Sequence, residues 1–200
     1  MEARPMSRHL VQFYGTAYPA QEASDFIAAG LQAGDTCIVL LVEPSRTAVE
    51  QQLERRRTFM TPGSQNSGHY LALDTHEVLA RLMVDGRLDM ERATESFGAL
   101  MNPASHGGRG QVRVVGDPAP TLFAAGNEDD ALRLEALVDG LSKTHATRVF
   151  CAYPMHDVHR HGSAHALHKM SAEHTSVKLP DQPWVEALAK PPQAGQAEQG

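Results

Sequence analysis

The stretch from Ala28 to Val42, AAGLQAGDTCIVLLV, indicates the fold of this chain. Its first part continues a helical pattern, which Gly34 and Asp35 end as a helix stop and a turn. The run that follows, Thr36 to Val42, is almost wholly apolar and rich in β-branched residues. A continuous apolar run of this length is typical of a strand that is buried on both faces of a sheet. The segment therefore predicts a helix, a tight turn and a central strand.

The same alternation of strand and helix continues on both sides of this segment. Further strands are predicted at Leu10 to Tyr14, His69 to Leu73, Gln111 to Val115 and Arg148 to Tyr153. Helical spacing predicts helices at Ala20 to Ala33, Ser45 to Arg57, His76 to Val84, Met90 to Met101 and Asn127 to Thr144. Such alternation predicts a three-layer α/β fold with a mostly parallel sheet and helices on both faces.

The length of 200 residues indicates one domain. We place this domain at residues 9–179, after a flexible N-terminus at residues 1–8. Residues 180–200 are rich in Pro, Gln and Ala and are expected to be a disordered tail, because they have little apolar surface to bury.

Composition excludes several classes of protein. No apolar run approaches the roughly 18 residues of a membrane span, and the N-terminus lacks the features of a secretory signal, so we expect a cytoplasmic protein and no membrane partner. The net charge of −6 argues against direct binding of nucleic acid. Cys37 and Cys151 lie in apolar runs, where Cys behaves as a small buried hydrophobe, and their number excludes a disulfide framework.

Lysine is absent from the first 142 residues. The four lysines are Lys143, Lys169, Lys178 and Lys190. No lysine is therefore present in the N-terminal two thirds to bind a phosphate group or form a Schiff base.

The motifs of the chain occur in a familiar order. They are His9-Leu-Val-Gln-Phe-Tyr14, Ala28-Ala-Gly-Leu-Gln-Ala-Gly-Asp35, Arg113-Val-Val-Gly-Asp117, Leu134-Glu135, Phe150-Cys-Ala-Tyr153 and His174-Thr-Ser-Val177. Over residues 9–177 the chain resembles the MEDS family, the sensory domain named for methanogens, methylotrophs and the dichloromethane-responsive regulator DcmR. The resemblance implies a bacterial sensory domain and a divergent relative of RecA-type ATPases.

One segment departs from an active ATPase. A P-loop needs a glycine-rich turn followed by Lys and Ser or Thr, which together hold the phosphates. The region after Tyr14 reads GTAYPAQEASDF, with one Gly and no Lys, and no Arg lies between Arg8 and Arg46. Ordinary nucleotide hydrolysis is therefore not expected. The resemblance therefore implies a degenerate RecA-like domain. Open α/β sheets bind ligands at the carboxyl ends of their strands, so we expect it to bind a ligand at that edge without chemistry.

Aromatic residues lie where the phosphate loop would be. His9, Phe13, Tyr14 and Tyr18 have rings and polar groups suited to a small organic ligand. The alternative interpretation is that Phe13 and Tyr14 belong to the strand core and that His9 is a hydrogen-bonded residue at the strand start.

Three acidic residues follow predicted strands. Glu43, Asp74 and Asp117 end such runs, and convergent carboxylates there can bind a cation or polarise a ligand. Asp and Glu also favour turns and helix caps, which is the alternative interpretation. Of the three, we assign Glu43 and Asp117 to the ligand site.

Arg113 interrupts an apolar strand, and Tyr153 ends another. A guanidinium inside a sheet is normally paired, and Glu135 on the following helix is the predicted partner of Arg113. Anion binding by Arg113 is the alternative. We place Arg113 in the ligand site, and Tyr153 with it through its hydroxyl group.

Six of the eleven histidines lie between His156 and His174. If residues 161–173 are helical, His161, His165 and His168 share one face at a spacing that can chelate zinc or nickel. A solvated face is the preferred interpretation, so no metal and no cofactor are assigned.

These features together favour a non-enzymatic sensory domain that binds a small organic ligand. It would act on a separate signalling protein, such as a histidine kinase or a transcription regulator, and homodimerisation is possible. The enzymatic alternative is a degenerate ATPase or a metal-dependent hydrolase that uses the strand-end carboxylates and the C-terminal histidines. A third alternative is an interaction protein without a ligand.

Overall fold

A computed structural model describes residues 8–56, 68–107, 110–145, 147–161, 174 and 176–179. Its strands are β1 (His9–Tyr14), β2 (Thr36–Leu41), β3 (His69–Asp74), β4 (Met83–Val84), β5 (Arg87–Leu88), β6 (Val112–Gly116), β7 (Arg148–Pro154) and β8 (Ser176–Lys178). Its helices are α1 (Ala20–Ala33), α2 (Ser45–Arg55), α3 (Thr75–Leu82), α4 (Met90–Met101), α5 (Pro118–Ala124), α6 (Glu128–Thr144) and α7 (Met155–His161), with a 3₁₀ turn at Pro103–His106. The proposed flexible start and disordered tail lie outside the described residues, apart from residue 8.

Six of the strands form one parallel sheet in the order β3-β2-β6-β7-β1-β8. All six residues of β2 are buried, as the apolar run predicts. The predicted α/β class is confirmed, and the sheet is parallel throughout its described strands. The short strands β4 and β5 form a separate antiparallel hairpin.

Helices cover both faces of the sheet and make three layers. On one face α1 and α2 pack against alternate residues of β2, such as Val39 and Leu41. On the other face α3 to α7 pack against the intervening residues, such as Ile38 and Leu40. We call these the α1 face and the α6 face. Because side chains alternate along a strand, each strand contributes to both cores.

The turn that opens the fold forms as its sequence predicts. Gly34 adopts a left-handed conformation with φ of 81°, and its N–H group caps the end of α1 through the Leu31 carbonyl. Gly30 lies one turn earlier, where a Cβ atom would come within 2.5 Å of the Cys37 Sγ atom and 2.6 Å of the Arg113 Cδ atom. The absence of a side chain therefore lets α1 pack closely on β2 and β6.

Several elements were not predicted. Helix α5 is short and starts at Pro118, a residue that is well suited to the first turn of a helix. The β4–β5 hairpin turns at Asp85 and Gly86, both with positive φ. Strand β8 has only three residues and pairs with β1. These elements are too short to show a clear periodicity.

No helix among the described residues is long and apolar enough to cross a bilayer.

Candidate functional site

The carboxyl edge of the sheet brings together the ends of β1, β2, β3, β6 and β7. The chain leaves β2 toward α2 on the α1 face, whereas it leaves the adjacent β6 toward α5 on the α6 face. The adjacent strands β1 and β7 diverge in the same way, toward α1 and α7. Such points of divergence leave a crevice at the strand ends, which is where open α/β sheets bind ligands.

Asp117 is the buried acid of this edge. It is 6% exposed, its Oδ1 atom accepts a 2.5 Å hydrogen bond from the Thr75 hydroxyl, and its Oδ2 atom accepts one of 3.0 Å from the Val42 N–H group. Burial raises the pKa of Asp117 to about 6, although both hydrogen bonds act in the opposite direction. Asp117 therefore joins the ends of β2, β3 and β6 and titrates close to neutral pH. Thr75 was not predicted to belong to this edge.

Tyr14 and Tyr18 lie within electrostatic range of Asp117. Their rings meet edge to face with 5.7 Å between centroids. Burial raises the pKa of Tyr14 to about 12 and that of Tyr18 well above its ordinary value, and the charge of Asp117 adds to both shifts. Both phenols therefore stay protonated at neutral pH. The Tyr18 hydroxyl oxygen is shielded from solvent, and no described residue forms a hydrogen bond with it.

Phe13, Tyr153 and His9 point to the α6 face and not to the edge near Tyr18. Phe13 is 1% exposed, and its ring lies 5.9 Å from that of Tyr153 in the core. The Tyr153 hydroxyl donates a 2.5 Å hydrogen bond to the Glu135 Oε1 atom. His9 stands at the opposite end of β1. The structure thus supports the core interpretation of Phe13 and separates His9 and Tyr153 from Tyr14 and Tyr18.

Glu43 and Asp74 satisfy the starts of nearby helices. Glu43 is exposed, forms an ion pair with Arg46 and accepts a hydrogen bond from the N–H group of Thr47 in α2. Asp74 accepts one from the N–H group of Glu77 and caps α3. Both contacts correspond to the capping interpretation. Of the three strand-end acids, only Asp117 is buried.

Arg113 does not pair with Glu135, so the predicted partner was wrong. Arg113 points to the α1 face, where its Nε atom lies 2.7 Å from the Asp35 Oδ2 atom. Its guanidinium also donates to the Phe26 carbonyl and lies over the Phe26 ring. Glu135 belongs to α6 on the opposite face. The ion pair itself is buried, as a structural role requires.

Glu135 instead belongs to a buried polar cluster on the α6 face. The cluster consists of His9, Glu135, Cys151 and His174, each at most 8% exposed. The rings of His9 and His174 lie 3.9 Å apart between centroids. The sequence drew attention to each of these residues for a different reason, and nothing in it predicted that they meet. The available signal was strand alternation, which puts His9 on one face of β1 and puts both Cys151 and Tyr153 on one face of β7.

The predicted histidine stripe cannot be placed. His161 ends α7, whereas His165 and His168 lie outside the described residues.

Tyr153→Phe is expected to lower the free energy of unfolding by about 2 kcal/mol, because it leaves a buried carboxylate oxygen without its donor. Urea denaturation measures this loss. Tyr18→Phe is the matched control and should not lower the free energy of unfolding, since no described residue forms a hydrogen bond with its hydroxyl. Equal losses in the two variants would contradict the assignment.

Comparison with known proteins supports the resemblance seen in the sequence. The family model described as MEDS, the methanogen/methylotroph, DcmR sensory domain, matches residues 8–174. No curated protein and no solved structure matches the chain. Since the match covers most of the chain, including both the carboxyl edge and the buried cluster, the protein belongs to the MEDS family of sensory domains.

Proposed function

We propose that this sensory domain detects a small organic molecule at the carboxyl edge, between Tyr14, Tyr18 and Asp117. The observation that carries the proposal is the Tyr18 hydroxyl, which is shielded from solvent and has no hydrogen-bond partner among the described residues. A buried donor without a partner costs free energy, and a ligand with an acceptor atom would relieve that cost. The rings of Tyr14 and Tyr18 would contact the apolar part of the ligand.

The electrostatics of the edge favour a neutral or cationic ligand over a phosphate. Asp117 and Asp157 both act on the pKa of Tyr14, so two carboxylates lie within electrostatic range of its hydroxyl. Glu22 lies in the first turn of α1, the position where a P-loop protein holds phosphate. The Glu22 carboxylate accepts hydrogen bonds from Gln12 and Lys178, and its negative charge at this helix start opposes the binding of an anion.

We further infer a RecA-like relationship and a non-enzymatic role. The interior position of β1 and the loop that leads from it into α1 support the former. The absence of lysine from the first 142 residues supports the latter. Under this proposal ligand occupancy passes to a separate signalling protein.

Thermal unfolding of the full chain with short-chain alcohols, ketones and amines tests the proposal. A ligand at 100 times its Kd stabilises the folded state by about 2.7 kcal/mol, which corresponds to a rise in Tm of about 5–10 °C. Tyr18→Phe should abolish this rise. Tyr70→Phe should retain it, because Tyr70 lies on the edge strand β3, where its hydroxyl donates to Glu50. A response that persists in Tyr18→Phe would contradict the site, and stabilisation by Mg-ATP with turnover would favour the enzymatic alternative.

A further inference from the structure

The buried cluster on the α6 face has the composition of a metal site. Four different parts of the chain supply it: His9 from the start of β1, Glu135 from α6, Cys151 from β7, and His174 just before β8. One nitrogen, oxygen or sulfur atom from each residue lies within 4.8 Å of the corresponding atoms of the other three.

Three of the six distances between the ligand atoms agree with the edges of a coordination tetrahedron, and the other three are each within 4.8 Å. Zinc bonds of about 2.0–2.1 Å to nitrogen and oxygen and about 2.3 Å to sulfur place nitrogen and oxygen about 3.3 Å apart, and nitrogen and sulfur about 3.5 Å apart. The Glu135 Oε2 atom lies 3.4 Å from the His9 Nε2 atom and 3.5 Å from the His174 Nε2 atom. The Cys151 Sγ atom lies 3.6 Å from the His9 Nε2 atom. These three edges are the lengths expected around a central ion, and small shifts of the side chains would bring the remaining ones to that length.

We propose that His9, Glu135, Cys151 and His174 bind one divalent transition metal ion of the zinc class. Thiolate and imidazole donors select such ions over Mg²⁺ and Ca²⁺, which prefer oxygen ligands. One thiolate and one carboxylate balance the two positive charges of the ion, so the occupied site is neutral. On binding, the Cys151 thiol releases its proton to solvent and both imidazoles coordinate as neutral rings.

The surrounding residues hold the ligands as a metal site requires. The Tyr153 hydroxyl donates to the Oε1 atom of Glu135, which directs the other carboxylate oxygen to the ion. The Nδ1 atom of His9 faces the Asp139 Oδ1 atom at 3.9 Å, and Asp139 is held by Lys143. At 3.9 Å this carboxylate is too far for a hydrogen bond but close enough for its charge to act on the His9 ring.

The site shares no residue with the carboxyl-edge site, although Cys151 is within electrostatic range of Tyr18 and Asp117. A bound ion would fasten His174, and with it the approach to β8, to α6 and the centre of the sheet. The alternative is that no ion binds in the cluster and that a histidine pairs directly with the Glu135 carboxylate. The two cases differ in metal content.

Metal analysis of the untagged full chain, followed by chelation and reloading with Zn²⁺ or Co²⁺, tests the proposal. We expect one ion per chain, and the Co²⁺ form should show thiolate-to-cobalt charge transfer and the intense d–d bands of a tetrahedral site. Cys151→Ser should abolish the charge transfer and weaken binding at least about 100-fold. His174→Gln should weaken binding similarly while the thiolate band is lost or shifted.

Two control variants locate the ion. Cys37→Ser alters the other buried thiol, on the α1 face, and should keep the full signal. The triple substitution of His161, His165 and His168 by Ala should also keep it. A folded protein that takes up no Co²⁺ after reloading would overturn the proposal. So would unchanged affinity in Cys151→Ser and His174→Gln, or loss of binding in the triple variant alone.

Discussion

Asp35→Ala is expected to lower the free energy of unfolding by about 3–5 kcal/mol, the largest single effect that we predict. Asp35 and Arg113 are 5% and 6% exposed, and Asp35 also accepts a 3.0 Å hydrogen bond from the Gln111 N–H group. The substitution leaves a buried guanidinium without its counter-charge and a backbone donor without its acceptor. Removal of one partner of a buried ion pair has costs of this order.

A double-mutant cycle with Arg113→Met measures the coupling. Arg113→Met should also be destabilising, because it leaves the Asp35 carboxylate buried without its cation. The double variant should lose clearly less stability than the sum of the two single losses, since neither buried charge then remains. Urea denaturation of the four proteins gives the comparison. Losses that simply add would contradict an energetic coupling between the two side chains.

The position of this pair shows which part of the fold a sequence can predict. Alternation along β6 places Arg113 and Val112 on opposite faces, but it does not say which face α6 covers. Asp35 stands just before β2, and Cys37 pairs with Arg113 in the sheet register. The partner was therefore determined by strand order, which local patterns do not contain.

Sequence patterns that extend over a few residues predicted the bounds of some helices correctly. The bounds of α1 and α4 were predicted correctly, because Gly34 ends the first and the apolar periodicity spans the second. The four-residue cluster on the α6 face is different. Its members are separated by up to 165 positions along the chain and meet through the pairing of β1 with β7 and β8 and the docking of α6. The spacing of residues along the sequence therefore cannot predict such a site.

The site at the carboxyl edge could be predicted from the sequence only in part. Strand-end acids were predicted there, yet only the structure separates Asp117 from the helix-capping residues Glu43 and Asp74. What distinguishes Asp117 is burial, which depends on the packing of α3 and α5 over the strand ends. Burial raises the pKa of Asp117, and the hydrogen bonds that it accepts from Val42 and Thr75 partly oppose this rise.

The titration of Asp117 should make the free energy of unfolding depend strongly on pH. The pKa of Asp117 is about 6 in the folded protein against 3.8 ordinarily, so between these values the folded state binds more protons than the unfolded state. The contribution of Asp117 to stability is therefore full at pH below about 4 and falls as the pH rises through 6. The total change is about 3 kcal/mol, because one pKa unit corresponds to about 1.4 kcal/mol.

Asp117→Asn removes this titration. The free energy of unfolding of the variant minus that of the wild type should rise by about 3 kcal/mol between pH 3.5 and pH 7. Thr75→Val removes a hydrogen bond that lowers the pKa of Asp117, so its own fall in stability should extend to higher pH than that of the wild type. Urea denaturation at several pH values measures both profiles. A flat difference between Asp117→Asn and wild type would contradict the raised pKa.

The same titration constrains the charge of the proposed ligand. A ligand that donates a hydrogen bond or brings positive charge to Asp117 favours the ionised carboxylate, so its affinity should increase as the pH rises through 6. By linkage, such a ligand lowers the pKa of Asp117 by the corresponding amount. An anionic ligand would show the opposite dependence, with tighter binding below pH 6. The pH dependence of binding therefore distinguishes a neutral donor or cation from a phosphate, even before the ligand is identified.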